Sequence, residues 1–194
     1  MANAFPPAFQ HFIDGLRDIW AKETETNARM ESALPLLRDV VNDPQMQEIS
    51  AGWPSTEGRK NLLFYVDPEY GFAINGVVRV PGRTGSVHDH GNVWVAYGVM
   101  TGSESLERYT RLDDGSKPDW AEIKLLSVTK GSSGKVDLVP PYDIHAEQGG
   151  PTRSTAIILR SERLGDLPQN MFDLETGLVK NGPGATQIPY ELRA

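Results

Sequence analysis

Along the first quarter of the chain apolar residues recur every three or four positions; beyond Lys60 they gather into short runs separated by turn residues. Phe9, Phe12, Ile13, Leu16, Ile19 and Trp20 mark one stripe of an amphipathic helix, because 3.6 residues per turn brings such positions onto a common face. Pro6 and Pro7 suit its start, where a missing N–H leaves no intrahelical bond unmade. Met30, Leu34, Leu37 and Val41 share one face of a second predicted helix over Asn27 to Val41, and Asn42-Asp43-Pro44 opens a third, shorter one. These stripes are expected to pack against a neighbouring sheet. His11 lies on the opposite face of the first helix and is expected in solvent.

From Lys60 the texture becomes β-rich. The runs are Asn61 to Val66, Phe72 to Val80, Val93 to Met100, Glu107 to Leu112, Glu122 to Val128, Lys135 to Val139 and Thr155 to Leu159. Between them, Asp67-Pro68, Pro81-Gly82, Asp113-Asp114-Gly115 and Gly131-Ser132-Ser133-Gly134 read as turns. Many short strands punctuated in this way predict a sandwich or small barrel. The stretch from Gly165, rich in Gly, Pro and Asn, is expected to wrap over the body as ordered coil, with one faint strand near Gly177 to Lys180. The division that follows is a helical region over 1–55, a barrel over 56–165 and an extension over 166–194, together one domain.

Composition narrows the function classes. The chain has 194 residues, 39% of them hydrophobic, which suits one domain with a real core. A formal net charge of −7, with no Lys/Arg run, disfavours nucleic acid and anionic membranes as partners. The absence of cysteine removes disulfides, thiolate ligands and cysteine nucleophiles. No signal-peptide pattern is seen at the N-terminus, and no stretch approaches the ~18 apolar residues of a membrane span. The expectation is a soluble, cytoplasmic protein.

Three of the four histidines fall in two short stretches, Gly82-Arg83-Thr84-Gly85-Ser86-Val87-His88-Asp89-His90 and Gly134 to His145. Side chains alternate along an extended strand, so the imidazoles of His88 and His90 project to one side and can share a metal ion. A third imidazole from a distant strand, His145, would complete a facial cap with open positions. Neutral imidazole suits Fe, Zn, Ni or Cu, so the ligands alone do not name the metal.

The two stretches resemble the paired motifs of the cupin superfamily. The first of these has Gly, five residues, His-x-His, three or four residues, Glu, six residues, Gly; Gly82, His88, His90 and Gly102 fall on that spacing, with Val95 in the Glu position. The second has Gly, five residues, Pro-x-Gly, two residues, His, three residues, Asn; Gly134, Pro140 and His145 match, while Tyr142 and Gly149 replace the second Gly and the Asn. Without the Glu, the site is similar to that of the cysteine dioxygenase-like group, three-histidine iron cupins with a helical N-terminal region. Lys60-Asn61-Leu62 looks like that group's substrate-binding Arg followed by Asn-Leu. The chain departs from the group after the third histidine, where Ile158, Arg160 and Glu162 stand in place of Ser, His and Tyr. The resemblance implies a mainly β fold, a cupin double-stranded β-helix (jelly-roll barrel) with the N-terminal α-helices packed outside. It also implies Fe(II) as cofactor, with Zn or Ni able to replace it on purification, and a homodimer through edge strands.

Around His88, His90 and His145, strand alternation nominates further residues. Val77 and Arg79 share a face, and if it is the inner one Arg79 can grip a substrate carboxylate through two parallel hydrogen bonds; the alternative is an outward Arg79. Lys60 can hold a carboxylate as a point charge but lacks the fork of Arg. Tyr97, two residues after Val95, would point inward, either to donate to oxygen or substrate or to pack in the core. Ile158, Arg160 and Glu162 share a face, which makes Arg160 and Glu162 either catalytic or an internal ion pair. Gln148 is placed near the mouth. Trp94 is expected to face the helices, and Asp89 to turn from the metal and anchor its strand. The expected activity is iron-dependent oxidation of a small thiol-bearing organic acid by O2 to a sulfinate. The alternatives are carbon–carbon cleavage of a β-diketone on the same three histidines, and a noncatalytic cupin that binds a metal or small ligand.

Overall fold

A computed structural model describes residues 5–162 and 168–193. The helices are α1 (Pro7–Lys22), α2 (Thr26–Asn42) and α3 (Pro44–Ala51), close to the periodicity. Phe9, Phe12, Ile13, Leu16 and Trp20 are the buried residues of α1, and α2 runs through Pro35 because Met30, Ala33, Leu37, Val40 and Val41 are buried along one side. Each such side chain taken from water contributes roughly 1.5–3 kcal/mol, enough across the stripe to hold a helix that contains a proline.

Among the described residues twelve strands follow: β1 (Lys60–Val66), β2 (Ala73–Arg79), β3 (Val87–His88), β4 (Val95–Thr101), β5 (Ser103–Arg111), β6 (Ile123–Ser132), β7 (Val136–Val139), β8 (Ile144–Gly149), β9 (Ser154–Arg160), β10 (Pro168–Phe172), β11 (Val179–Pro183) and β12 (Thr186–Pro189). They form two six-stranded sheets, β12-β1-β2-β9-β4-β7 and β11-β10-β3-β8-β5-β6. The chain passes repeatedly from one sheet to the other, and the result is the jelly-roll barrel of a double-stranded β-helix. β1 and β12 pair in parallel; every other pairing is antiparallel.

The first sheet is covered on both faces. Ile74, Val78, Ala96, Met100, Ile157 and Leu159 face the helices, while Val77, Val95, Tyr97, Val99, Ala156 and Ile158 fill the barrel. This explains why every residue of β2 and β9 is buried. Helix α2 lies directly on β4 because Gly98 has no side chain there: a Cβ would stand 2.8 Å from Val41 Cγ1. Trp94 packs against the helical cluster.

Two regions differ from the sequence pattern. The extension forms three strands where coil with one faint strand near Gly177 to Lys180 was expected; β11 overlaps that strand, and β10 and β12 are additional. β10 pairs with β3 and β12 with β1, so the tail is woven into both sheets. The boundary set at 165/166 lies outside the described residues. The second is Tyr142, which occupies a glycine position of the motif and takes the left-handed backbone that glycine favours there, φ 59°. Its N–H donates to Gly91 O at 2.8 Å, tying the loop before His145 to the turn after His90.

Candidate metal centre

Strands β3 and β8 place His88 directly opposite His145 in register. β3 is only two residues long, and His90 lies beyond its end. It still turns inward because Asp89 is held outward: its carboxylate accepts from Gly91 N, Asn170 N and Asn170 Nδ2 at 2.9–3.1 Å. One ligand atom from each of His88, His90 and His145 lies within 4.8 Å of the other two, and the ring centroids are 4.6–4.9 Å apart.

At two of the three histidines the hydrogen bonds select the tautomer that a metal needs. His88 Nδ1 meets Ser86 O at 2.9 Å, and His145 Nδ1 meets Asp143 O at 2.8 Å. A carbonyl only accepts, so each Nδ1 carries the proton and each Nε2 is left with a free lone pair. His145 Nε2 is buried with no hydrogen-bond partner, an orphan that a metal bond would satisfy. His90 Nδ1 meets Gln169 Nε2 at 2.6 Å while Gln169 Oε1 accepts from Arg59 Nη2 at 3.4 Å, so ligation through His90 Nε2 calls for this amide to turn over and present its oxygen. Burial, together with the neighbouring imidazoles, lowers the pKa of His88 to about 4 and also lowers that of His90, so both rings are neutral at pH 7. The three residues therefore fit a divalent transition metal held by three imidazoles.

Val95 is buried inside the barrel, so no carboxylate enters from β4. One arrives instead from β8. Glu147, two residues after His145, brings its Oε1 to 3.9 Å from His145 Nε2. Burial opposes its ionisation, but Arg79, His145, His88 and Arg160 outweigh that and lower its pKa to about 2.

The cavity beside the histidines has a volume of about 70 Å³ and is lined by five cationic side chains, Arg59, Lys60, Arg79, Arg83 and Arg160, against the single carboxylate of Glu147. Val77 and Ile158 supply apolar wall. On a chain of net charge −7 this is a concentrated positive field, suited to small anions.

Arg79 faces the barrel interior, 4% exposed, but is already engaged. Nη1 donates to Glu104 Oε2 at 2.8 Å and to the Tyr97 hydroxyl, and Nη2 lies 3.7 Å from Glu147 Oε1. Tyr97 donates in turn to Glu104, whose other oxygen accepts from Ser154 Oγ at 2.6 Å. Burial raises the Tyr97 phenol well above its ordinary pKa, and the group is neutral. Tyr97 lies within this network and does not line the cavity.

Arg160 faces the cavity, 3% exposed, and its partners are amides. The ion pair with Glu162 does not form: β9 ends at Arg160, alternation stops there, and Glu162 is exposed on the outside near Trp20, Arg29 and Trp94. Gln148 also lies away from the cavity. An odd offset of three from His145 sends it to the outer face of β8, where it holds Gly85 N and Glu107 Oε2 at 2.8 and 2.9 Å. Lys60 stands exposed on the cavity rim at the start of β1. Sequence reasoning passed over Glu147, Arg83, Arg59 and Gln169. The first was accessible from its even offset to His145; the last sits in β10, where the sequence carried no strand signal.

No family model matches the sequence, and no curated protein matches it. Solved structures of double-stranded β-helix proteins do resemble the fold. An oxalate oxidase in complex with the substrate analogue glycolate is 19% identical, over 58% of this chain and 56% of its own, with a TM-score of 0.44. KdgF from Halomonas sp. is 19% identical over 57% of this chain and 86% of its own, TM-score 0.43. An uncharacterized conserved protein with a double-stranded β-helix domain from Klebsiella pneumoniae is 13% identical over 64% of this chain and 94% of its own, TM-score 0.43. The chain spans about half the length of the oxalate oxidase chains, 42% and 56% in two cases. The likeness is one of barrel architecture and carries no activity over.

Proposed function

We propose that this protein is a mononuclear nonheme iron dioxygenase that oxidises a small thiol-bearing organic acid. The observation that carries the reading is the convergence of three imidazoles, with no carboxylate among the three, beside a small cavity lined five to one by cations. His88, His90 and His145 would hold the ion through Nε2. When bound, Fe(II) would supply the redox chemistry by which dioxygen reacts with a thiolate, which side chains alone do not provide.

The chain's own residues do the rest. The cationic rim of Arg59, Lys60 and Arg83 draws an anion inward, and Val77 and Ile158 line part of the wall with apolar surface that limits water. Glu147, ionised and steadied by Arg79, offers an acceptor at Oε1 beside the histidines, able to hold the hydrogen-bond donor of a bound acid. In the overall reaction one thiol and one O2 give one sulfinic acid, both oxygen atoms ending on sulfur, with no further reductant. The positive lining favours an acid over a neutral β-diketone.

Metal content of protein purified without added metal, then O2 uptake with iron restored, tests the reading against thiol acids and β-diketones. One metal per chain, with uptake for a thiol acid and a sulfinate product, is the expected result. Uptake with diketones alone, or none across the panel, overturns it.

A further inference from the structure

Among the described residues two arginines are buried in the barrel interior, and of these only Arg79 has a countercharge in contact. Arg160 Nε donates to Asn75 Oδ1 at 3.2 Å. With its amide nitrogen on Lys60 O at 2.8 Å, Asn61 presents its oxygen to Arg160 Nη2 at 3.0 Å. Asn75 is fixed in the same way: its nitrogen donates to Leu62 O at 3.1 Å and Gln187 Oε1 at 2.6 Å, which commits its oxygen to the arginine. Both partners are neutral acceptors locked by the sheet. They aim the guanidinium without neutralising it.

Arg160 Nη1 has no partner at all, although it is buried. Among the described residues no carboxylate forms an ion pair with Arg160, and Glu147 attracts it only from a distance. A buried charge left unpaired is costly and calls for an anion. A planar guanidinium with one free amino group is shaped for a carboxylate. Arg160, His88 and His90 line the same cavity, with Ile158 one strand repeat before the arginine.

We propose that Arg160, held by Asn75 and Asn61, is the anchor for a carboxylate of the small-molecule ligand, and that Arg79 is not. The assignment deepens the small-acid reading above and rests on it. The ligand then spans from Arg160 to the open side of the three histidines, a short distance in a cavity of about 70 Å³, so its acid and reactive groups are separated by few atoms.

The test uses zinc-loaded protein and two probes without a thiol, succinate and its uncharged isostere succinamide, titrated calorimetrically. Wild type is expected to bind succinate about tenfold or more tightly than the amide. Arg160→Gln should abolish that preference while retaining its zinc, measured on the same sample. Arg160→Gln with wild-type succinate affinity, or a wild type indifferent to acid and amide, overturns the assignment. Should Arg160→Gln fail to fold, Arg160→Lys decides, since it keeps the charge and loses the fork: a threefold or greater drop supports the anchor, and wild-type affinity overturns it. An intact succinate preference in a protein that consumes no O2 with any thiol acid removes the thiol reading and leaves the carboxylate anchor standing.

Discussion

Arg79 and Arg160 sit on adjacent strands of one sheet, both point into the barrel, and both are nearly inaccessible to solvent. Arg79 contacts Glu104 at 2.8 Å and Glu147 at 3.7 Å; among the described residues Arg160 hydrogen-bonds only to the amide oxygens of Asn75 and Asn61. Tyr97 and Ser154 complete the surroundings of Glu104, so the cluster around Arg79 is balanced by the chain itself. Arg79 Nε, Arg160 Nη1 and His145 Nε2 all lack hydrogen-bond partners, so the difference between the clusters lies in countercharge: Arg79 has carboxylates in contact and, among the described residues, Arg160 has none. Burial of a charge is therefore no guide to its role. What separates scaffold from site is whether the protein supplies the partner.

The most forceful way to break the comparison is to remove each arginine in turn. Arg79→Met strands the Glu104 carboxylate inside the barrel, and losing one member of a buried pair is expected to cost about 3–5 kcal/mol. Arg160→Met deletes a charge that has no counterion, and the expected change is within about 1 kcal/mol in either direction. Urea unfolding of the metal-free variants measures both. Equal losses would erase the distinction and make Arg160 a structural residue.

Much of this contrast was latent in the sequence, and its limits are physical. Period-two alternation correctly turns Val77 with Arg79, Val95 with Tyr97 and Ile158 with Arg160 into the barrel, because β2, β4 and β9 are central strands with two buried faces. It fails at Glu162, since alternation has no meaning past the strand's last residue. Gln148 was misjudged by parity, which pointed to Glu147 all along. Glu104 escaped notice because β5 begins four residues before the β-rich run that starts at Glu107, and Glu104 is a polar side chain that faces inward. β11 and β12 are largely exposed and carry no apolar period; backbone ladders hold them, and a ladder leaves little trace in composition.

Acid offers a second, gentler way to sharpen the contrast. His88 has its pKa lowered to about 4 in the folded, metal-free protein against an ordinary value near 6.5, through burial first and then the facing charges of His145 and Arg160, which outweigh Glu147. Below pH 6.5 the unfolded chain binds a proton that the folded chain refuses. This contribution to stability is therefore whole above about pH 6.5 and declines as pH falls toward 4, by on the order of 2 kcal/mol. His88→Asn should reduce that slope in metal-free protein, leaving the share that His90 contributes in the same direction, while Tyr97→Phe in the balanced cluster should leave it unchanged. A slope that survives His88→Asn undiminished would place the titrating group elsewhere.

The smallest expected effect comes from the edge of the open cluster, where the C-terminal extension reaches the metal centre. Gln169, 3% exposed on β10, meets His90 Nδ1 at 2.6 Å, and the neighbouring Asn170 clasps Asp89. His88 and His145 take their orientation from the backbone carbonyls of Ser86 and Asp143, contacts that no substitution there removes. His90 alone depends on a side chain, so it is the ligand whose tautomer can be tuned. Gln169→Leu leaves Nδ1–H facing an apolar group, and zinc affinity, measured by competition with a chelator, should fall about tenfold, the lower end of what an outer partner of a ligating histidine contributes. Gln169→Glu offers an acceptor at either oxygen and should hold zinc at least as tightly as wild type. If the leucine variant retains full affinity, the extension merely covers the barrel, and His90 is oriented by the Asp89 clasp.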